Sequence, residues 1–193
     1  MIELYTWVLA ALLQFAPPDR LPQYPGYEET LEQTQERYAD IAGVISSVAL
    51  AEEEAPDGMT DREEAALLVA IAVGETHLAL DADRGPCFRD GRFHERCDRG
   101  RAASIWQVHA WKRNGEWVPL SELFENRELA AERAFYVARS SLGMCKHLPP
   151  EDRLSGLSGR CIRGLASAQA HYRRWMKLRA WEPKKPPPEV AQR

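Results

Sequence analysis

Nine consecutive apolar residues, with no polar side chain among them, set the strongest limit on how this chain folds. Residues 65–73 read Ala-Ala-Leu-Leu-Val-Ala-Ile-Ala-Val. Thr60 and Glu63 precede them with the Thr-x-x-Glu spacing of a capping box, which favours the start of a helix. A helix that is apolar on every side has to be enclosed by other elements. The sequence therefore predicts a central helix over residues 60–75.

Other segments have the spacing of helices that bury only one face. They are residues 28–50, residues 127–145 and residues 162–181, in which apolar side chains recur every three or four positions. The dipeptide Asn114-Gly115 favours a tight turn between two short strands. Together these patterns predict one mainly α-helical domain over residues 26–181, interrupted by loop-rich insertions.

The two ends of the chain differ in composition from this domain. Residues 1–25 are an apolar segment with a Pro-rich connector, and residues 182–193 are a tail rich in Pro and Lys. Residues 4–16 have the length of a signal-peptide core, but the only charge before them is Glu3, where a signal peptide has a basic residue. A short hydrophobic helix packed on the domain is the alternative, and we favour it.

The charge of the chain excludes some classes of protein. The 193 residues hold 25 Lys and Arg against 29 Asp and Glu, a net charge of −4, which is not that of a general nucleic-acid binder. No apolar run reaches the ~18–20 residues that cross a bilayer. Residues 160–193 hold 9 basic and 2 acidic side chains, whereas residues 1–80 hold 3 and 15. Any contact with an anionic polymer or an acidic partner should therefore be sought near the C-terminus, and a solvated basic face is the alternative.

The chain has four cysteines, namely Cys87, Cys97, Cys145 and Cys161. The even number predicts two disulfides between sequence neighbours, Cys87–Cys97 and Cys145–Cys161. A zinc site is disfavoured because no C-x-x-C pair and no H-x-x-x-H lies near a cysteine. Four buried thiols, as in a cytosolic protein, are the other alternative. The loops between the paired cysteines have few core residues, so we expect disulfide-stapled insertions and an extracytoplasmic location.

Glu75 is the candidate catalytic residue because of where it stands. It follows the apolar run at the end of the central helix. A carboxyl group there is expected to be desolvated, and desolvation raises its pKa and keeps it protonated. A protonated carboxyl can donate its proton to the leaving oxygen of a glycosidic bond. The alternative is that the helix ends one turn earlier and leaves Glu75 solvated.

Two motifs follow one another in a recognisable order. Glu75-Thr76 ends the central helix, and Ser104-Ile105-Trp106-Gln107 follows a stretch of small residues. This order resembles the lysozyme-like superfamily, in its soluble lytic transglycosylase and goose-type lysozyme branch, over about residues 28–181. That branch has a helix-ending Glu-Ser or Glu-Thr and a later Gly-Leu-Met-Gln-type segment. Its Tyr-Asn-Ala-Gly segment is matched at best by Gly156-Leu157-Ser158-Gly159, which lacks the tyrosine.

The resemblance implies a lysozyme-like fold and an enzyme that cleaves the β-1,4 bond between N-acetylmuramic acid and N-acetylglucosamine in peptidoglycan. Glu75 would act first as acid and then as base. It would take a proton either from the 6-hydroxyl of muramic acid, as in a lytic transglycosylase, or from water, as in a muramidase. The resemblance also implies that Thr76, Ser104, Trp106 and Gln107 contact glycan strands, and that no metal or other cofactor takes part.

Other side chains are secondary candidates. A second catalytic carboxylate, if the reaction uses one, would be Asp81, Asp83 or Asp90, which follow Glu75 in the chain. Three tryptophans could stack on sugar rings or anchor loops. The histidines lack metal-ligand spacing and are predicted to be structural or at the surface. Two of them, His77 and His109, are expected to lie beside the groove that would bind the glycan. The tryptophans are Trp106, Trp111 and Trp117. The histidines are His77, His94, His109, His147 and His171.

A non-catalytic module is the rival hypothesis. A lysozyme-like domain could serve as a structural or wall-binding part of a larger assembly, such as a phage tail or a secretion apparatus. The poor signal peptide, the missing tyrosine and two termini suited to docking on another protein favour it. Both hypotheses hold together for a hydrolase carried by a phage particle. An open groove shared by Glu75 and Gln107 would favour the enzyme, and a groove filled by this chain's own side chains would favour the module.

Overall fold

A computed structural model describes residues 2–51, 58–85, 88–89, 92–93 and 95–183 of the protein. The described part is mainly α-helical, as predicted. Its helices are α1 (Ile2–Phe15), α2 (Leu31–Leu50), α3 (Asp61–Thr76), α4 (Leu80–Arg84), α5 (Leu120–Glu125), α6 (Arg127–Met144) and α7 (Ala166–Arg179). Short 3₁₀ segments span Pro18–Arg20, Glu95–Gly100 and Pro150–Ser158. Cys87, Asp90, His94 and residues 184–193 of the predicted tail lie outside the described residues.

The strands are short and form three antiparallel pairs within the described residues. β1 (Phe88–Arg89) pairs with β2 (Arg92–Phe93), β3 (Ala102–Ala103) with β4 (Val108–His109), and β5 (Trp111–Arg113) with β6 (Glu116–Val118). The last pair is the hairpin that Asn114-Gly115 predicts, and both turn residues have positive φ. Helices form most of the core, to which the strands contribute Ala103, Val108 and Val118.

Helix α3 lies at the centre of the fold, as its apolar run predicts. The Thr60 hydroxyl accepts the Glu63 N–H and the Glu63 carboxylate accepts the Thr60 N–H, so the predicted capping box forms. Every residue from 65 to 73 is buried. α1, α2, α6 and α7 pack around α3. Residues 65–73 are thus removed from water on every side. The burial of apolar surface is the main favourable contribution to the free energy of folding.

Helix α1 packs into the same core against α2 and α3. Residues 7–12 are all buried in it. Trp7 lies against Trp181, which follows α7, with ring centroids 6.0 Å apart. The Arg62 guanidinium lies 4.8 Å from the centre of the Trp7 ring and donates to the Trp181 carbonyl at 2.6 Å. No helix in the described part of the chain has the length and apolar character to cross a bilayer.

Buried ion pairs fasten the start of the first insertion to the helices behind it. Asp83 of α4 accepts a 2.7 Å hydrogen bond from Arg127 of α6 and lies 3.6 Å from Arg37 of α2. Arg37 also pairs with Glu29 at 2.6 Å. Because Asp83, Arg37 and Glu29 are almost fully buried, each needs these partners to offset its desolvation. Asp83 is therefore held in a structural role.

The second predicted disulfide is present between Cys145 and Cys161. Cys97 is buried and disulfide-bonded, while its predicted partner Cys87 lies outside the described residues. Asn126 caps α6 by accepting the N–H of the third helical residue, Leu129. Helix α7 begins at Ala166 rather than at residue 162, because a turn with Gly164 at φ +74° follows the disulfide.

Candidate active site

A groove of about 690 Å³ opens beside the C-terminal end of α3. Its walls come from α3, α6, α7, the 3₁₀ segment Pro150–Ser158 and the loop that carries β3 and β4. This volume lies within the range of small-molecule sites in proteins. Apolar side chains form much of the lining, and a few polar ones converge on it. The polar and charged lining includes Glu75, Asp98, Gln107, His109, Arg133, Ser158, Ser167 and His171.

Glu75 lies in the last turn of α3 at the edge of the groove. Its side chain is 33% exposed, so the predicted deep burial of this carboxyl group is wrong. The alternative of an earlier helix end is also wrong, since α3 continues through Thr76. The reason is geometric: in the last turn of α3 Thr76 is buried against the Ile105 carbonyl, whereas Glu75 lines the groove. The carboxyl group is thus both held by a helix and open to a ligand.

His171 of α7 is the partner of Glu75 that the sequence prediction missed. Its Nε2 lies 2.9 Å from Oε1 of Glu75. Its Nδ1 is buried and has no hydrogen-bond partner in the described part of the chain. The tautomer with the proton on Nε2 leaves no buried N–H without an acceptor, and it donates to Glu75. A sequence signal existed, because His171 stands three residues after Ala168 and four before Trp175, which is helical spacing, and all three are buried on α7.

Gly74 allows α7 to come this close to α3. A Cβ atom at Gly74 would lie under 3.0 Å from Cε1 and Nδ1 of His171, and 2.6 Å from Nη1 of Arg174. Burial lowers the pKa of Arg174, while the nearby Glu75 carboxylate opposes this shift. Glu75 is therefore flanked by two nitrogen-bearing side chains of α7, His171 and Arg174.

The turn Ser104–Gln107 forms the facing wall of the groove. Ser104 and Gln107 have φ values of 66° and 54°, in the left-handed region that favours glycine. The backbone N–H and the side-chain Nε2 of Gln107 both donate to the Ser104 carbonyl, at 3.1 and 2.9 Å. The other end of the amide, Oε1, is buried and has no hydrogen-bond partner among the described residues. It is an unused acceptor on a residue that lines the groove.

Two side chains fasten this turn to α3. The Thr76 hydroxyl lies 3.1 Å from the Ile105 carbonyl and 3.2 Å from the Ala72 carbonyl of its own helix. The Trp106 indole N–H donates to the Leu68 carbonyl at 3.1 Å. Because Thr76 directly follows Glu75, these bonds fix the distance between the carboxyl group and the turn.

The four residues predicted to contact glycan therefore divide into two pairs. Gln107 and Trp106 line the groove, with Trp106 only 3% exposed and present as part of the wall. Thr76 and Ser104 are buried and are not among the lining residues, so they hold the turn in place from behind. Thr76 and Ser104 therefore position Trp106 and Gln107 in the wall of the groove.

Asp98 is the second carboxylate in the lining of the groove. It pairs with Arg101 at 2.7 Å and lies 3.7 Å from His109, which also lines the groove. The sequence prediction missed Asp98 because it stands among many Asp and Arg residues of one loop. Its backbone φ of +47° places it in a tight turn, and the sequence does not indicate this conformation.

The predicted candidates for a second carboxylate lie elsewhere. Asp83 forms the buried ion pairs with α2 and α6, and Asp81 is fully buried and absent from the groove lining. Asp90 lies outside the described residues. His77 ends α3 in an exposed left-handed conformation and does not line the groove, whereas the predicted neighbour His109 does. Trp117 is 67% exposed on β6, away from the lining.

The segment Gly156–Gly159 lines the groove without a tyrosine. The Ser158 hydroxyl donates to the Ser155 carbonyl at 2.7 Å, so it serves the local turn. Gly156 packs so closely on Ser141 that a Cβ would lie 2.5 Å from its hydroxyl oxygen. Together with the Cys145–Cys161 disulfide, this close packing holds the segment against the end of α6.

Comparison with known proteins does not assign this chain to a family. No protein-family model, no curated protein and no solved structure matches it. In the described part of the chain, no group of three or more His, Cys, Asp or Glu side chains is placed to hold a metal ion. The groove itself, with Glu75 and His171 at one edge and Gln107 at the other, is the strongest indication of function that the molecule carries.

Proposed function

We propose that this protein is a peptidoglycan glycosidase that cleaves the N-acetylmuramic acid–N-acetylglucosamine β-1,4 bond, with Glu75 as general acid and base. The observation that carries the proposal is that Glu75 and Gln107 line one open groove. A helix end supplies the acid, and a turn fastened to the same helix supplies the ligand-binding acceptor.

The proton transfers use the contacts that surround Glu75. Glu75 first protonates the glycosidic oxygen of the bound glycan, and the His171 N–H at 2.9 Å then stabilises the carboxylate that remains. A glycan in the groove covers the exposed third of the Glu75 side chain, and this desolvation strengthens the interactions within the site. The carboxylate then removes a proton from the 6-hydroxyl of muramic acid or from water, which completes the reaction.

Gln107 is the proposed contact to the sugar substituents. Its buried Oε1 lacks a partner among the described residues and can accept a hydrogen bond from an N-acetyl N–H or a sugar hydroxyl. Its Nε2 is already bound to the Ser104 carbonyl, which fixes the direction of the amide. A fixed acceptor in a groove orients a ligand, and orientation is itself a large part of catalysis.

Two features support an enzyme over a non-catalytic module. The groove beside Glu75 is open, whereas a module without catalysis would be expected to fill it with its own side chains. The apolar residues of α1, which suggested a docking segment, are buried against α2 and α3. The disulfide chemistry of Cys145, Cys161 and Cys97 suits an extracytoplasmic location or transport in a phage particle, and we include both in the proposal.

Replacing Glu75 with Gln tests the proposal. This variant keeps the size of the side chain and removes its titratable proton, so lysis of purified peptidoglycan should fall by about 10²–10⁴-fold. Mass spectrometry of the released muropeptides then distinguishes anhydro ends, made by a transglycosylase, from hydrated ends, made by a muramidase. Asp98→Asn measures any part that the second carboxylate takes in the reaction.

Glu116→Gln is the matched control, since Glu116 is an exposed residue of β6 that does not line the groove. It should leave the rate of lysis unchanged. Full activity of Glu75→Gln would exclude Glu75 from the mechanism. Wild-type protein that binds peptidoglycan but releases no muropeptide would favour the wall-binding module instead.

A further inference from the structure

Arg133 of α6 lines the same groove. Its neighbours are aromatic rings, whereas Glu75 and Asp98 contact side chains that can carry a positive charge. Its guanidinium carbon lies 5.0 Å from the centre of the Trp111 ring and 5.1 Å from that of Tyr136. Burial lowers the pKa of Arg133, with a small opposing effect from Tyr136. Within the described residues, Arg133 has no carboxylate partner and donates no hydrogen bond.

The carboxylates of the groove, in contrast, already have partners. Glu75 contacts His171 at 2.9 Å, and Asp98 contacts Arg101 at 2.7 Å. Neither is paired with Arg133, so its guanidinium has no ion-pair partner among the described residues. A partly desolvated cation without an anion is a cost to the folded protein, and an anionic ligand would offset it.

The aromatic contacts of Arg133 use none of its hydrogen-bond donors. A planar guanidinium that stacks on rings uses its two faces, while its N–H donors lie in the plane and point outward. These donors match the two oxygens of a carboxylate in a bidentate pair. Trp111 and Tyr136 therefore hold the guanidinium in place without occupying the groups that recognise an anion.

We propose that Arg133 forms a carboxylate-binding subsite of the groove, clamped by Trp111 and Tyr136. The inference rests on the proposed glycan substrate and adds to it a requirement for an acidic group. In peptidoglycan that group is either the lactyl carboxylate of a muramic acid without its peptide, or a carboxylate of the stem peptide. Both sources present the same chemistry to a guanidinium, and the experiment separates them.

Binding to the full-length Glu75→Gln variant, in which the ligand is not cleaved, is the test. Isothermal titration at low salt compares three tetrasaccharides: alternating N-acetylglucosamine and N-acetylmuramic acid with free lactyl carboxylates, its methyl ester, and neutral chitotetraose. A fourth ligand carries stem peptides in amide linkage, so that its carboxylates are those of the peptide alone. We expect the better carboxylate ligand to bind about tenfold or more tightly than the methyl ester, and this preference should shrink at 300 mM salt.

Arg133→Met, made in the same background, should remove the preference for the carboxylate and leave the affinity for chitotetraose within about twofold. Arg133→Lys keeps the charge but not the planar fork, and should keep only part of the preference. Arg139→Met is the matched control. Arg139 also lies on α6 and 5.3 Å from an aromatic ring, that of Phe135, but it does not line the groove.

Each outcome decides one proposal. Equal affinity for the methyl ester and for both carboxylate ligands overturns the Arg133 subsite, and binding of chitotetraose would still support a glycan groove. A preference that survives Arg133→Met also overturns the subsite, because another group then recognises the anion. If none of the four saccharides binds, the proposed glycan substrate fails first. The comparison of acid with ester keeps Arg133 unchanged, so it stands even if the Arg133 variants do not fold.

Discussion

Gly74→Ala is the substitution that examines the contact between α3 and α7 most directly. In an exposed helix, replacing Gly with Ala stabilises the folded state by about 0.5–1 kcal/mol, because Gly has more backbone freedom to lose. At Gly74 we expect the opposite sign. A Cβ there would lie under 3.0 Å from two atoms of the His171 ring and 2.6 Å from Nη1 of Arg174, distances that packed atoms do not adopt.

The size of the effect follows from a comparison with Gly43 of α2. A Cβ at Gly43 meets nothing within 4 Å, so Gly43→Ala gains the helix propensity without a clash. The propensity gain is common to both variants and cancels in their difference. What remains is the cost of forcing His171 and Arg174 away, which for overpacking of this kind is about 1–3 kcal/mol. At ~2–4 °C of melting temperature per kcal/mol, the two variants should differ measurably.

Thermal unfolding followed by circular dichroism gives the stability, and muropeptide release gives the activity. Gly74→Ala should melt below Gly43→Ala and should also lose activity, because the displaced His171 no longer donates to Glu75. Gly43→Ala should keep full activity and gain stability. If Gly74→Ala were as stable as Gly43→Ala and fully active, the close approach of α7 to α3 would be refuted, together with the role given to His171.

Two further predictions concern parts of the fold away from Glu75. The double variant Cys145→Ala/Cys161→Ala opens a disulfide that spans 16 residues, which should cost about 3 kcal/mol in denaturant unfolding; an unchanged midpoint would show that the bond adds nothing to stability. Burial raises the pKa of Tyr38, whose hydroxyl donates to the Ala16 carbonyl at 2.7 Å, so this residue contributes stability below its unfolded pKa near ~10 and loses it as the pH rises further. Tyr38→Phe should therefore be less stable than wild type at pH 8 by about 1 kcal/mol, and the gap should narrow above pH ~10.

The elements that the sequence predicts well are those in which local signals agree with burial. The capping box at Thr60 and the apolar run fix both the start and the enclosure of α3, and the structure has that helix over Asp61–Thr76. Asn126 and Asn114-Gly115 likewise mark a helix start and a turn by short-range chemistry, and both are observed. Such features need only a few neighbouring residues and no knowledge of the tertiary fold.

The site itself depends on contacts between residues far apart in the chain, and the sequence prediction was weaker there. Glu75 and Gln107 were found because each belongs to a motif. His171 is 96 positions from Glu75, and its role depends on how α7 crosses α3. Arg133 was not singled out, because an Arg on an amphipathic helix is usually on a solvated face. Its two aromatic neighbours come together only when the hairpin folds against α6.

The groups with unmet hydrogen-bonding capacity bear on the choice between an enzyme and a structural module. Oε1 of Gln107 and Nδ1 of His171 are buried without partners among the described residues, and both residues line the groove. Arg133 adds a guanidinium whose N–H groups have no acceptor in the described part of the chain. A buried polar atom left unpaired lowers the stability of the folded protein by about 1–3 kcal/mol. In a module with only a structural role, no ligand would offset this loss. Gln107 and Arg133 on one groove instead match a ligand with hydroxyl and amide donors that also carries an acid. A peptidoglycan strand has all three, and neutral chitin lacks the acid.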